Sequence, residues 1–178
     1  MKIETELEIV LADYLNPRHA KDLGYLLNCY AQDPMAGATA LPSSITKKLA
    51  EKLSSVAGAF SVLCYVDNKP AGLANCFQGF STFQLKPLIN VHDLVVVNEF
   101  RGLGLSHKML LKVEQHALQI GCCKITLEVF EGNSIAQKSY QKFGFEGFEL
   151  NPKMGKALFL QKILRAPKIN YAAKQQLI

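Results

Sequence analysis

Several features that would place this chain in a special class are missing. Its five cysteines are odd in number and include no Cys-x-x-Cys pair, which favours a reduced, cytoplasmic protein over a disulfide-stabilised secreted one. No His/Cys spacing resembles a metal site, and no apolar run is long enough to span a bilayer. Glu4, Glu6 and Glu8 are untypical of a signal peptide. We therefore expect no metal and no membrane partner.

Acidic residues are absent from the last part of the chain. The net charge is +5, and 14 basic residues balance 15 acidic ones before residue 151. The excess of positive charge is therefore confined to the end, which argues against a nucleic-acid partner. The six basic residues that follow are Lys153, Lys156, Lys162, Arg165, Lys168 and Lys174.

The 178 residues suit one domain, expected over 1–165, with a basic tail over 166–178. Apolar spacing and turn residues predict a strand, two helices, a hairpin, a central strand, a helix, a strand, a helix and a last hairpin. This order predicts an α/β domain with a mixed sheet and helices on its faces. Outside the central region we expect elements at Ile3–Leu15, His19–Ala31, Ser43 or Ser44 to Val56, Phe60–Val66, Ala71–Phe80, Cys123–Phe130, Ser134–Lys142, Glu146–Leu150 and Ala157–Leu164.

The central region, Ile89 to Gly121, reads as a strand, a glycine turn and a long helix. The apolar run ending at Val97 is typical of a strand buried on both faces. The turn follows at Arg101–Ser106, and Gly121 occupies the place of a helix C-cap glycine. The helix between them is indicated by apolar residues at helical spacing, namely Met109, Leu110, Val113, Ala117 and Ile120.

The glycine turn predicts an anion site. Gly102 and Gly104 allow a positive φ and a close approach of the backbone to a ligand. The first N–H groups of the following helix have no intrahelical partner, and Arg101 adds a cation beside them. The dinucleotide pattern G-x-G-x-x-G fails at His107, and the Walker pattern fails too. A turn that merely joins strand to helix is the alternative.

What fits is R-x-x-G-x-[GA], with Ser106 at the last place. This resembles the pyrophosphate loop of the GNAT superfamily of acyl-CoA-dependent N-acyltransferases. The residues Leu94–Phe100 agree with the L-x-V-x-P-x-x that precedes the loop in that family, with Asn98 replacing the common proline.

A second segment, Asn133–Phe145, is similar to N-x-x-A-x-x-x-Y-x-x-x-G-F of the same family. Asn133 lies at a helix start, where it can cap N–H groups or bind the pantetheine arm. Ala136 is small enough to let a ligand pass, and Tyr140 follows one turn later on the same face. The plain alternatives are an N-cap and a core tyrosine. The close resemblance covers about Ile89 to Phe145.

The resemblance implies a mostly antiparallel, twisted sheet with a splayed central strand pair. It implies acetyl-CoA as co-substrate and direct acetyl transfer to a primary amine, on a small molecule or a peptide, by a monomer or homodimer. An acyl-CoA-binding sensor or scaffold without turnover is the alternative. The implied contacts with the co-substrate are Leu94, Val95 and Val96 for the pantetheine, then Arg101, Gly102, Leu103, Gly104, Leu105 and Ser106 for the diphosphate, with Asn133, Ala136 and Tyr140 from the second segment.

Four residues are candidates for proton transfer. Tyr140 could protonate the leaving thiolate, because a phenol is neutral at pH 7. His92 and Asp93 stand ahead of the loop and, as strand neighbours, are expected to face opposite sides, so that only one could reach the acceptor. Glu128 on the next strand is a third possible base. Structural roles for each, with water as the only proton acceptor, form the alternative.

Overall fold

The computed structural model describes residues 6–148, 151, 153, 155 and 157–164. The chain divides into two compact units, Met1–Phe145 and Glu146–Ile178. No helix of the described ranges combines the length and the apolar character needed to cross a bilayer. The elements are β1 Leu7–Leu11, α1 Pro17–Ala31, a 3-10 helix Pro34–Ala36, α2 Ser43–Thr46, α3 Leu49–Ser54, β2 Ala59–Val66, β3 Lys69–Ser81, β4 Lys86–Val96, a 3-10 helix Asn98–Phe100, α4 Leu105–Gln119, β5 Ile125–Leu127 and α5 Ser134–Phe143.

The strands form one five-stranded sheet in the order β1-β2-β3-β4-β5. The first four strands are antiparallel, and β5 pairs with β4 in parallel. Asp67 and Asn68 adopt positive φ at the β2–β3 turn, which suits a tight hairpin. The predicted α/β fold with a mixed, mostly antiparallel sheet is confirmed.

Helices cover both faces of the sheet and bury two separate apolar clusters. The α4 layer joins Met109, Leu110 and Val113 to strand residues such as Ile89 and Val91. The α1 layer, named after the helix that lies on the opposite face, joins Leu23, Leu26 and Ala50 to Leu63, Tyr65, Leu73 and Val95. The central strand β4 therefore contributes buried residues to both layers, as its apolar sequence predicts.

Some predicted boundaries are wrong. The first strand starts at Leu7 and ends at Leu11 within the described residues, short of Leu15. The predicted second helix is two short helices, α2 and α3, and Pro42 occupies the N-cap of α2 without a side-chain bond, so neither Ser43 nor Ser44 caps it. Proline has a fixed φ suited to a helix start, and it takes the place that a serine cap would need.

The predicted last hairpin is also wrong over the part of it that the structure describes. Glu146–Phe148 and Ala157–Leu164 contain no strand. Alternation of apolar residues makes a strand possible, but an isolated hairpin is marginal in water, so alternation alone does not determine one. Glu149, Leu150 and the predicted tail, residues 166–178, lie outside the described residues.

Candidate active site

The sheet opens beside the central strand. β4 pairs with β5 only at Ile89–Val91 but continues to Val96. The Val97 amide donates to the Ala71 carbonyl at 2.9 Å. Antiparallel pairing then directs the N–H and C=O groups of Leu94 and Val96 away from β3, while those of Val95 face β3. The splayed strand pair is therefore present, and Leu94 and Val96 line its open edge.

The glycine loop forms a cradle of backbone amides at the start of α4. Gly102 and Gly104 have φ of 83° and 71°, and Gly104 is the N-cap of α4 without a side-chain bond. The helical ladder begins with the Lys108 amide donating to Gly104 O, so the N–H groups of residues 105–107 precede it. A Cβ built at either glycine meets no heavy atom within 4 Å. Open space in front of free donors fits an anionic group such as a diphosphate.

The Arg101 side chain points along the opened strand edge. Its Nε donates to Val96 O at 3.1 Å, and Nη2 lies 2.7 Å from Asp33 Oδ2. Asp33 follows α1 and also accepts from the Met35 amide at 2.8 Å. The hydrogen bonds from Arg101 and then from Met35 lower the pKa of Asp33. Asp33 is not among the predicted site residues, because it lies beyond the predicted helix His19–Ala31 and belongs to neither motif.

Helix α5 lies beside the loop and carries the second segment. The Asn133 side chain accepts from the Ala136 amide at 3.2 Å, which makes it the N-cap and leaves its NH₂ group outside that bond. The hydroxyls of Ser106 and Ser139 are 3.3 Å apart, so the loop contacts the middle of α5. The cap assignment agrees with one of the two roles predicted for Asn133.

Tyr140 is half-buried on α5 and packs edge-on against Phe145 at 5.9 Å. Burial, with a smaller contribution from Tyr30, raises the pKa of Tyr140 to about 12. Tyr30 lies on α1, and burial, Asp93 and Asp33 raise its pKa as well. Tyr140 is therefore a neutral hydrogen-bond donor at physiological pH. Tyr30 lies outside both motifs, so nothing in the sequence indicates that it belongs near the candidate site.

A β-bulge alters the predicted orientation of His92 and Asp93. Cys76 pairs with Val91 and Asn75 with Asp93, so His92 is an extra residue in β4. The ring centroids of His92 and Phe77 are 5.6 Å apart, in an edge-on contact. Asp93 Oδ2 accepts a hydrogen bond from Asn75 Nδ2 at 2.9 Å. Phe77 and Asn75 are two residues apart on one strand and share a face. The prediction that His92 and Asp93 face opposite sides is therefore wrong, because the bulge breaks the alternation.

Glu128 lies on the same face but just beyond β5, which ends at Leu127. Both of its carboxylate oxygens accept from Asn90 Nδ2, at 3.2 and 3.3 Å. Asn90 stands between Ile89 and Val91, which point into the α4 layer, so Asn90 and Glu128 face the α1 side. The three candidate bases thus share one side, where His92 and Glu128 are exposed and Asp93 is half-buried.

A splayed mixed sheet with an amide cradle at the start of α4 is the architecture of the acetyltransferase class. The model of the acetyltransferase (GNAT) family matches residues 22–145 of this chain. The chain therefore belongs to the GNAT acetyltransferase family, as its two motifs predict.

The individual relatives share little sequence identity with this chain. An uncharacterized N-acetyltransferase of Methanocaldococcus jannaschii is 28% identical over 89 residues, which are 49% of this chain and 39% of that protein. The chain thus aligns with well under half of that relative's length. A crystal structure of a probable acetyltransferase has a TM-score of 0.74 at 22% identity, covering 89% of this chain and 99% of the other. An aminoglycoside N-acetyltransferase in complex with CoA has a TM-score of 0.70 at 18% identity, with 91% and 98% covered. At such identities these structures show the fold alone.

Proposed function

We propose that this protein is an N-acetyltransferase that moves an acetyl group from acetyl-CoA directly to a primary amine on a small molecule or a peptide. One observation carries the proposal: beyond Val91 the edge of β4 is free of β5 and runs on to the amide cradle of α4. Tyr140 packs against the same apolar cluster as Leu94 and Val96 of that edge. An open strand edge that continues into a cradle of free amides suits a long, phosphorylated carrier.

When bound, acetyl-CoA supplies an acetyl group already activated as a thioester. The backbone from Gly102 to Ser106 would hold its diphosphate, because unpaired amides and the α4 dipole attract negative charge. The Arg101 amide already donates to Asn98 O at 3.2 Å, so Arg101 would contribute its guanidinium.

Leu94 offers its main-chain groups to the amides of the pantetheine arm, and so does the Val96 carbonyl, which also accepts from Arg101 Nε. Val95 would make no direct contact, because its main-chain groups face β3 and its side chain is buried in the α1 layer. Asn133 retains its NH₂ group as a donor, and Ala136 leaves space beside it.

Tyr140 serves the leaving sulfur as a hydrogen-bond donor. A phenol with a pKa of about 12 keeps its proton at neutral pH. A thiol has a pKa near 8.5, so complete transfer of that proton to a thiolate is unfavourable in the resting site. Stabilisation by a donated hydrogen bond is consequently the role that the environment of Tyr140 favours.

The amine must lose a proton before it can attack. With a pKa near 10.4, deprotonation of an alkylamine at pH 7 costs roughly 4–5 kcal/mol. Among His92, Asp93 and Glu128, we assign the acceptor-side base to Asp93, because it is half-buried and held by a buried neighbour. The Val96 N–H on the opened edge is the donor we assign to the developing oxyanion.

A panel of amines, amino acids and peptides, assayed by release of free thiol, tests the proposal. We expect acetyl-CoA turnover with at least one amine class, and Tyr140→Phe should slow that turnover while calorimetry shows CoA binding unchanged. Tight CoA binding without turnover on any amine would instead identify a sensor or scaffold. Absence of CoA binding would overturn the assignment.

A further inference from the structure

A line of three hydrogen bonds crosses the sheet on the α1 face and ends at Asp93. The Tyr14 hydroxyl lies 3.0 Å from Ser61 Oγ, Ser61 Oγ lies 2.7 Å from Asn75 Oδ1, and Asn75 Nδ2 lies 2.9 Å from Asp93 Oδ2. Ser61 is 0% and Asn75 2% exposed. The line therefore runs from the segment after β1, through β2 and β3, to the bulge of β4.

The ionised carboxylate sets the direction of every bond in this line. A carboxylate only accepts, so Asn75 must present its NH₂ group to Asp93. The amide oxygen of Asn75 then faces Ser61, whose single O–H must be donated to it. Because the Ser61 O–H is donated to Asn75, Ser61 Oγ must be the acceptor in its bond with Tyr14, and the Tyr14 O–H must be the donor. Burial raises the pKa of Tyr14, which keeps that phenol protonated. All donors consequently point toward Asp93, and aligned bonds of this kind polarise one another.

We infer that Tyr14, Ser61 and Asn75 are positioning residues that hold the Asp93 carboxylate toward the amine acceptor. Asn75 occupies Oδ2, whereas Oδ1 accepts no hydrogen bond from any described residue and is the oxygen offered to the acceptor. This inference rests on the proposed function, because it assigns Asp93 to the amine.

The same line is not a route for protons. A proton arriving at Asp93 would have to pass through the amide of Asn75, which donates through nitrogen and accepts through oxygen and does not exchange the two. The line therefore fixes orientation, and the proton taken from the amine leaves Asp93 on the side of Oδ1.

Steady-state kinetics of Asn75→Ala and Ser61→Ala test the positioning role. We expect kcat/KM for the amine to fall about 10- to 100-fold in Asn75→Ala, which loses a bond to a charged group, and about three- to tenfold in Ser61→Ala. The KM for acetyl-CoA should stay constant in both. The control is Tyr65→Phe, which removes a buried hydroxyl bonded to Asp22 at 3.1 Å in the same layer. Its effect on the amine should be less than twofold.

A double-mutant cycle separates positioning from general destabilisation. In an Asp93→Ala background, Asn75→Ala and Ser61→Ala should cause no further loss in kcat/KM, since their only route to the amine is absent. Additive losses would overturn the inference. So would equal changes in the KM values of both substrates.

An activity-independent measurement keeps the two proposals apart. The side-chain amide signals of Asn75 in NMR spectra, assigned by their loss in Asn75→Ala, should shift in Asp93→Ala and Ser61→Ala but not in Tyr65→Phe. Unshifted signals would overturn the inference. If the Asn75 signals shift in the two variants but the wild-type protein turns over no amine, the proposed function is refuted and the hydrogen-bonded line stands. If the wild type turns over an amine but the losses in the double mutants are additive, the positioning role alone is refuted.

Discussion

Arg101 Nη2 lies 2.7 Å from Asp33 Oδ2, while Nε of the same guanidinium donates to Val96 O at 3.1 Å. One side chain thus joins the segment after α1 to the opened edge of β4. The Arg101 side chain is 53% exposed and that of Asp33 18%. The cation of the proposed diphosphate loop is therefore shared with a carboxylate from the segment that follows α1.

This relationship predicts that Asp33→Asn strengthens CoA binding. Without the carboxylate, Arg101 has no anionic partner among the described residues and is available to a phosphate. We expect the Kd for CoA to fall about two- to fivefold, in keeping with a partly exposed ion pair. Calorimetry at low salt measures the change. Glu51→Gln, which alters an exposed pair with Lys52, is the control, and an unchanged or higher Kd in Asp33→Asn would contradict the prediction.

The same carboxyl predicts a pH dependence of stability. The pKa of Asp33 is lowered from 3.8 in the folded state, so its contribution is present above the unfolded value and is lost as the pH falls through the folded one. The difference in unfolding free energy between wild type and Asp33→Asn should hold steady from pH 7 to about 5 and vanish below the folded pKa. Urea titrations across that range measure it. A difference that grows toward acid would be incompatible with this sign.

Gly104→Val should abolish the amide cradle. Its φ of 71° is costly for a branched residue, by about 1–2 kcal/mol, and the added side chain enters the space before the free amides. Gly121→Val is the matched control, because Gly121 has φ of 75° at the other end of α4 and also faces open space. We expect similar losses in melting temperature, but a Kd for CoA raised more than about tenfold only in Gly104→Val. Equal CoA affinities would remove the loop from the binding site.

Tyr140→Phe should lower kcat by about 10²-fold, the effect of losing one donor to a developing anion. CoA affinity should change little. Because the pKa of Tyr140 is about 12, its deprotonation should produce no fall in wild-type activity up to pH 10. Stopped thiol-release assays from pH 6 to 10 measure both the kcat of Tyr140→Phe and the pH profile of the wild type. Tyr65→Phe is the control, and full activity in Tyr140→Phe would eliminate its role.

Asp93→Ala should reduce kcat/KM for the amine by about 10²-fold, as expected for loss of a general base. His92→Ala and Glu128→Gln remove exposed groups on the same face and should each stay within about threefold of wild type. Thiol release at several amine concentrations distinguishes them. Equal and mild effects of all three changes would leave water as the only proton acceptor.

Local spacing was sufficient for the parts of the site that lie within one segment. The loop of Gly102 and Gly104, the Asn133 cap and the position of Tyr140 follow from helix periodicity and from the conformational freedom of glycine, both of which act over a few residues. The two family motifs consist of such short-range features. The order of helices and strands up to α5 was predictable for the same reason, except that the predicted second helix is divided into α2 and α3.

Tertiary pairing decided which of the candidate groups meet. Regular alternation places His92 and Asp93 on opposite faces, and only pairing with β3 reveals the bulge that reverses this. Asp33 lies 68 residues from Arg101, and Asn75 lies 18 residues from Asp93, so no local pattern connects them. The sequence by itself determined the family, the amide cradle and the apolar faces of the elements. Register and strand divergence, which depend on contacts between distant segments, determined which candidate groups share the α1 face and where β4 parts from β5.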